Sequence, residues 1–179
     1  MSVTVLTILL LHNNFVKKLF LFVLLLNGCS AIVKAQNQYV PVHYVILDST
    51  SGPQMLSQCS RSVPSKVSGF WNLTDKQLKP LFDNFRNALG EKAKTCCIVS
   101  GKIKKLEGFA FQFIGITMKN RKYIYINAFG IESENDFQGF FRDWRSKPIV
   151  VCDGGDWFWG VLFDIKLLKF SQLSFNGIG

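Results

Sequence analysis

Histidine and recognised catalytic motifs are what this chain most lacks. Its 179 residues include two histidines, and His43 is the only one beyond the first 35 residues. A Ser-His-Asp or Cys-His nucleophile system would have to use His43, which lies in a strand-like segment. The patterns G-x-S-x-G and H-E-x-x-H and the glycine-rich phosphate loops are also missing. The sequence therefore assigns no catalytic residue, no cofactor and no metal site.

Acidic side chains are scarce as well. The chain has 12 Asp and Glu against 21 Lys and Arg, a formal net charge of +9. Lys17, Lys18 and Lys34 belong to the leader described next, and without these three the remainder keeps an excess of about six positive charges. The basic residues are scattered and accompany no RNP, zinc-finger or helix-turn-helix pattern, so nucleic acid is not expected as a partner.

The first 35 residues have the layout of an export signal. Lys17-Lys18 form a positive region, residues 19–26 an apolar core, and Ala35 ends a small-residue site, which predicts a new N-terminus at Gln36. Neither apolar stretch of the leader reaches the roughly 20 residues that span a bilayer, although a permanent transmembrane helix remains the alternative.

A second processing route competes with this cleavage. The segment Leu26-Asn27-Gly28-Cys29 resembles the lipobox of bacterial lipoproteins, in which the cysteine is lipidated and becomes the first residue. Both routes export the chain. We therefore expect a periplasmic or extracellular protein, in contact with the membrane only through its signal segment or a lipid anchor on Cys29.

Five cysteines are present, and removal or lipidation of Cys29 leaves four. In an oxidising compartment four cysteines favour two disulfides, with buried free thiols as the alternative. Neighbouring strand residues point to opposite sides, so Cys96 and Cys97 are each expected to pair elsewhere, one with Cys59 and one with Cys152. Zinc is disfavoured, because adjacent cysteines and one histidine do not give its usual ligand spacing.

Residues 36–179 are predicted to form a single α+β domain. An extended segment at 38–47 precedes a loop at 48–70 that contains seven serines. A main helix follows, with a capping box at Thr74–Gln77, an apolar stripe from Leu78 to Leu89 and a stop at Gly90. Strands are then expected at 96–103, 108–118, 122–129, 149–152, 156–164 and 169–176, with a short helix around 137–144 capped by Ser133. The polar turn Lys119-Asn120-Arg121 predicts that 108–118 and 122–129 form a hairpin.

This order predicts an antiparallel sheet of about five to seven strands, packed against one main helix and one short helix. It resembles cystatin-like and NTF2-like architectures, in which a curved sheet wraps a helix. That analogy implies a fold and carries no function.

Both faces of the sheet are predicted to be apolar. Odd- and even-numbered residues along 108–118 point to opposite faces of the strand, and both sets are largely hydrophobic. This pattern is not expected of a sheet that has one face in solvent. The second face must be covered by the serine-rich loop, the short helix, a partner chain or a ligand. An aromatic groove there would suit a peptide or a sugar ring.

The least ordinary segment is Asp153-Gly154-Gly155-Asp156, followed by Trp157 and Trp159. Its two glycines permit a turn with positive φ that brings two carboxylates together, for ligand binding, calcium or acid–base chemistry. Simple turn chemistry explains the same residues, and two carboxylates fall short of the six to eight oxygens of calcium. Alternation places Trp157 and Trp159 on one face of the strand.

The functional hypothesis is therefore an exported binding or envelope-accessory protein, without catalysis, that uses Asp153, Asp156, Trp157 and Trp159. Its expected partner is a protein, peptide or glycan of the cell envelope. The alternative is a small envelope hydrolase that uses Asp153 and Asp156, or His43. A purely structural lipoprotein is a third possibility.

Overall fold

The computed structural model describes residues 37–93 and 101–178. The predicted signal segment, with its cleavage site and Cys29, lies outside these ranges, and so do Cys96 and Cys97. The processing of the leader stays a prediction. Residues 38–179 group together as one compact unit, and the description below concerns that unit.

Six strands form one mixed sheet in the described part of the chain. They are β1 (His43–Ile46), β2 (Val67–Trp71), β3 (Phe109–Met118), β4 (Arg121–Gly130), β5 (Phe158–Asp164) and β6 (Lys169–Phe175). The order along the sheet is β1-β3-β4-β5-β6, and β2 pairs with the remaining length of the β3 edge. The predicted α+β class and number of strands are confirmed.

The sequence predicted an antiparallel sheet, and this prediction is wrong for one pair of strands. β1 runs parallel to β3, with His43 opposite Ala110, whereas the other pairs are antiparallel. The long connection from β1 to β3 carries β2 and the helices, and it returns the chain to the same end of the sheet. A crossover of that length is what parallel neighbours require.

The predicted hairpin of β3 and β4 is confirmed. All ten residues of each strand are paired, from Phe109 opposite Gly130 to Met118 opposite Arg121. The two turn residues between them, Lys119 and Asn120, have φ of 49° and 59°. A two-residue turn with both φ values positive matches the right-handed twist of the strands it joins.

Two short α-helices are present in the described ranges, α1 (Gly52–Met55) and α2 (Asp75–Phe82). The predicted capping box of α2 forms, since the backbone N–H of Thr74 donates to Gln77 Oε1 at 2.9 Å. The helix does not continue to Gly90 as predicted. Asn84 donates its side-chain amide to Pro80 O, while its backbone N–H turns to Leu81 O, and the chain tightens into a 3₁₀ turn at Phe85–Gly90.

Both faces of the sheet are covered by this chain itself. On one face, α2 and Phe85 pack over the middle of β3, β4, β5 and β6. The other face is covered by residues that precede β2 and by residues 137–149: Leu47, Met55, Leu56, Val63, Phe137, Phe141, Trp144 and Ile149. Of the four covers predicted for the second face, the serine-rich segment and the region of the second helix are therefore the ones observed.

Several local predictions are wrong. The serine-rich stretch contains α1 and β2, and the second helix is a 3₁₀ turn at Glu134–Phe137 followed by further turns. Ser133 does cap that turn. Residues 101–103 and 149–152 form no strand. Around Ile149, side-chain amides replace a strand partner: its N–H donates to Gln112 Oε1, and its carbonyl accepts from Asn127 Nδ2.

Candidate functional site: a cavity beside Trp157

The turn that carries the candidate site is anchored by a disulfide. Cys59 bonds to Cys152, with a Cα–Cα distance of 5.0 Å across 93 residues of sequence. The prediction that each of these cysteines pairs with Cys96 or Cys97 is therefore wrong. It rested on the opposite directions of neighbouring side chains in a strand, and this rule does not say which distant cysteine each one reaches. The observed bond joins the serine-rich segment directly to the residue before Asp153.

The glycine turn itself forms as predicted. Gly154 and Gly155 have φ of 91° and 54°, values that L side chains rarely adopt. Hydrogen bonds hold the turn to the end of β6: Gly155 N–H donates to Gly177 O at 3.0 Å, and Asn176 Nδ2 donates to Asp153 O at 3.0 Å. The turn therefore places Asp156 and Trp157 at a fixed position at the start of β5.

Three of the four predicted binding residues line one cavity, of about 210 Å³. They are Asp156, Trp157 and Trp159, whereas Asp153 is exposed outside it. The other main walls are Phe109 and the segment Lys102–Lys105, with Ile131 and Phe175. Sequence reasoning missed these, because nothing in their pattern shows that residues near 104 approach residue 157.

The two tryptophans of the site have different roles. Trp159 is completely buried and packs edge-to-face with Phe109, at 5.6 Å between ring centroids. Trp157 is 49% exposed. Trp159 is thus core that backs the cavity, and Trp157 is the tryptophan that presents ring surface.

Gly130 explains how a half-exposed tryptophan is held in place. A Cβ atom added to Gly130 would lie 1.9 Å from Cε3 of Trp157, so the indole ring rests on the backbone at the end of β4. The Cε3 edge of the indole is seated against this glycine. A platform held in this way loses little freedom when a ligand stacks on it.

The rim of the cavity is positively charged. Lys102, Lys104 and Lys105 are exposed there, against the single carboxylate of Asp156. Lys104 Nζ lies 3.8 Å from Asp156 Oδ2, and Lys105 has no ion-pair partner in the ranges 37–93 and 101–178. Lys105 therefore keeps a positive charge on the rim after the ion pair of Lys104 and Asp156 is formed.

Two polar atoms in the cavity wall lack hydrogen-bond partners among the described residues. They are Asp156 Oδ1 and Trp159 Nε1, and both are out of reach of solvent. Each such atom costs about 1–3 kcal/mol, since it has given up water without a replacement. They lie within the wall, so an occupant of the cavity would reach them only if the wall shifted.

His43, the histidine of the catalytic alternative, has other partners. His43 Nε2 lies 3.1 Å from Glu134 Oε1, and its ring packs against Phe137. Asp136 caps its own turn, and the backbone N–H groups of Ser133 and Glu132 that donate to its carboxylate lower its pKa. No cluster of three or more potential metal ligands occurs within the described ranges.

A buried arginine fixes the segment between the disulfide and β2, and sequence reasoning missed it too. Arg61 is 7% exposed, and its guanidinium donates to the side-chain oxygens of Asn127 and Asn176. The next backbone N–H, of Ser62, donates to Ser174 Oγ at 3.0 Å. These contacts fasten the segment to β4 and β6, which is a structural role.

In the part of the chain that is described, no helix has the length and apolar character needed to cross a membrane. No family model, no curated protein and no solved structure matches this chain.

Proposed function

We propose that this chain is an exported binding protein without catalytic activity, and that its ligand occupies the cavity beside Trp157. The observation that carries the proposal is a half-exposed tryptophan seated on Gly130 at the mouth of an aromatic cavity. Large exposed aromatic rings held at a concave site are typical of ligand recognition.

The size of the cavity limits what it holds. Sites for drug-sized molecules measure about 300–1,000 Å³, and this one is about 210 Å³. It fits one ring or one side chain. The ligand is thus a small molecule, or a single residue presented by a larger partner such as a peptide of the envelope.

Export is supported by the disulfide. Cys59 and Cys152 are both exposed at the surface and yet bonded, and such bonds persist in oxidising compartments. The signal-like layout of residues 1–35 is a second, independent reason for the same location. Lipidation of Cys29 remains the alternative form of export.

The full-length chain, titrated with benzyl alcohol as a neutral single-ring probe, tests the proposal. The indole N–H signals of the tryptophans are followed by NMR and assigned by substitution. We expect the Trp157 signal to shift in a saturable way and those of Trp71 and Trp144 to stay. Trp157→Ala should abolish binding of the probe. An exposed aromatic residue outside the cavity, Phe140, provides the matched control as Phe140→Ala.

The proposal is contradicted if the Trp157 signal does not respond, or if all tryptophan signals shift equally. A normal far-UV spectrum of Trp157→Ala would show that any loss of binding is not a loss of fold.

A further inference from the structure

The walls and the rim of the cavity differ in chemistry, and together they define a class of ligand. The inner surface is formed by aromatic and aliphatic side chains, chiefly Phe109, Trp157 and Ile131, whereas lysines surround the opening. Resting on the proposed function, we infer that the cavity binds an aromatic ring that carries a carboxylate next to it, as in a free aromatic acid or a C-terminal phenylalanine.

An aromatic ring suits the walls better than a sugar does. A sugar brings several hydroxyl groups, and each one buried without a partner opposes binding. The polar wall atoms of the cavity, Asp156 Oδ1 and Trp159 Nε1, are not open to solvent. A ring without polar groups meets no such penalty, and it gains edge-to-face contacts of the kind that Phe109 already makes with Trp159.

The charge of the rim selects an anion. Asp156 is already engaged by Lys104, at 3.8 Å, so it does not cancel the charge of Lys105. Lys105 approaches the rim closely, since its Nζ lies 3.8 Å from a Cβ atom added to Gly108. A carboxylate attached to a ring inside the cavity would emerge among these lysines, where opposite charges attract.

A matched pair of probes isolates the contribution of the carboxylate. N-acetylphenylalanine and N-acetylphenylalaninamide share the ring and the backbone and differ in one negative charge. We expect the acid to bind at least tenfold more tightly than the amide at low salt, and the ratio to fall as salt is added. Equal affinities for the acid and the amide would overturn the inference.

A second pair isolates the contribution of the ring. N-acetylcyclohexylalanine keeps the carboxylate and a six-membered ring but loses the aromatic face. It should bind at least threefold more weakly than N-acetylphenylalanine, and equal or tighter binding would contradict an aromatic specificity.

Variants then locate the charge. Lys105→Gln should lower the affinity for N-acetylphenylalanine severalfold more than it lowers the affinity for the amide. The control is Lys76→Gln, a change of an exposed lysine on α2 that does not line the cavity. If both variants change affinity equally, the effect belongs to the net charge of the protein and the assigned rim is wrong.

Two further probes, phenylacetate and the peptide Gly-Gly-Gly-Phe, distinguish a free aromatic acid from the C-terminal residue of a peptide. Tighter binding of the peptide assigns a C-terminal residue, and tighter binding of phenylacetate assigns a free acid. Different results would contradict the inferred ligand class and the proposed function. If benzyl alcohol binds at Trp157 and the acid has no advantage over the amide, only the ligand class is wrong; if no aromatic probe binds there, the proposed function is wrong.

Discussion

The indole ring of Trp157 fills the space that a side chain at Gly130 would need. The two residues lie at the start of β5 and the end of β4, and a Cβ atom at Gly130 would come within 1.9 Å of the ring. A glycine at this position is therefore what allows the indole ring of Trp157 to occupy its place beside the cavity.

Gly130→Ala should displace Trp157 from its seat. We expect a red-shifted tryptophan emission and at least a tenfold loss of affinity for N-acetylphenylalanine, because the ring can no longer form the cavity wall. Fluorescence and titration calorimetry measure the two effects. Gly139→Ala is the control, since a Cβ atom there would meet nothing closer than 4.0 Å. Unchanged binding by Gly130→Ala would show that the position of Trp157 is not important.

The disulfide should contribute a large part of the free energy of unfolding. A cross-link across 93 residues restricts the unfolded chain, and the loop-entropy relation gives about 4–5 kcal/mol for this length. Replacing Cys59 and Cys152 together by serine should lower the urea midpoint accordingly. Reductant should destabilise the wild type by a similar amount and leave the double variant unaffected. A loss below about 1 kcal/mol would contradict the assignment.

Tyr125→Phe is expected to be neutral or stabilising, by up to about 1–2 kcal/mol. The Tyr125 hydroxyl is buried and has no partner among the described residues, so removing it removes a desolvated group. Tyr39→Phe is the matched comparison, because the Tyr39 hydroxyl donates to Leu106 O at 3.2 Å. That change should cost about 0.5–1.5 kcal/mol. Thermal unfolding of the two variants, measured side by side, shows whether each change stabilises or destabilises the protein. A clear loss of stability in Tyr125→Phe would contradict the expectation.

Gln112 should be among the most sensitive polar positions. Its fully buried amide donates to Trp144 O and Lys147 O, and it accepts from Asn127 Nδ2 and from Ile149 N. Gln112→Leu would remove all four of these hydrogen bonds, two of them fully buried, so we expect a loss of at least about 3 kcal/mol in urea unfolding.

The exposed residue Gln54 supplies the control for this experiment. Gln54→Leu should change the free energy of unfolding by less than about 0.5 kcal/mol. If the two leucine variants were equally stable, Gln112 would not fasten residues 144–149 to the sheet.

Acid should weaken the turn that begins at Ser133. Hydrogen bonds from the backbone N–H groups of Ser133 and Glu132 lower the pKa of Asp136. The folded pKa is then below the unfolded one, so this stabilisation is present above the unfolded pKa and is lost as pH falls through the folded pKa. Asp136→Asn should therefore melt below the wild type at pH 7, and the difference should disappear near pH 2. If the melting temperatures still differed at pH 2, the ionised carboxylate of Asp136 would not be the cause of the difference.

Local signals in the sequence predicted local structure well. The capping box at Thr74 and Gln77, the hairpin of β3 and β4, and the positive φ of Gly154 and Gly155 all follow from short-range steric and hydrogen-bond rules. The turn of that hairpin is one residue shorter than the predicted Lys119-Asn120-Arg121, because Arg121 is already paired in β4. The apolar character of both sheet faces also predicted that the second face must be covered, and left open whether by the serine-rich loop, the short helix, a partner chain or a ligand.

Long-range features did not follow from the sequence. The parallel direction of β1, the Cys59–Cys152 bond and the approach of Lys104 to Asp156 each join residues that are far apart in the chain. Arg61 carries no signal of burial either, because an arginine in a serine-rich stretch is ordinarily exposed. Its partners, Asn127 and Asn176, become visible only once β4 and β6 are adjacent to the same segment.

The central claim is that the cavity beside Trp157 is the binding site of this protein. Titration of the ¹⁵N-labelled full-length chain with N-acetylphenylalanine, followed by two-dimensional NMR, tests it most directly. We expect saturable shifts confined to residues 102–109, 130–131 and 156–159 and to Phe175, with the largest at the Trp157 indole. Shifts that centre elsewhere on the sheet, or no shifts at millimolar probe, would contradict it.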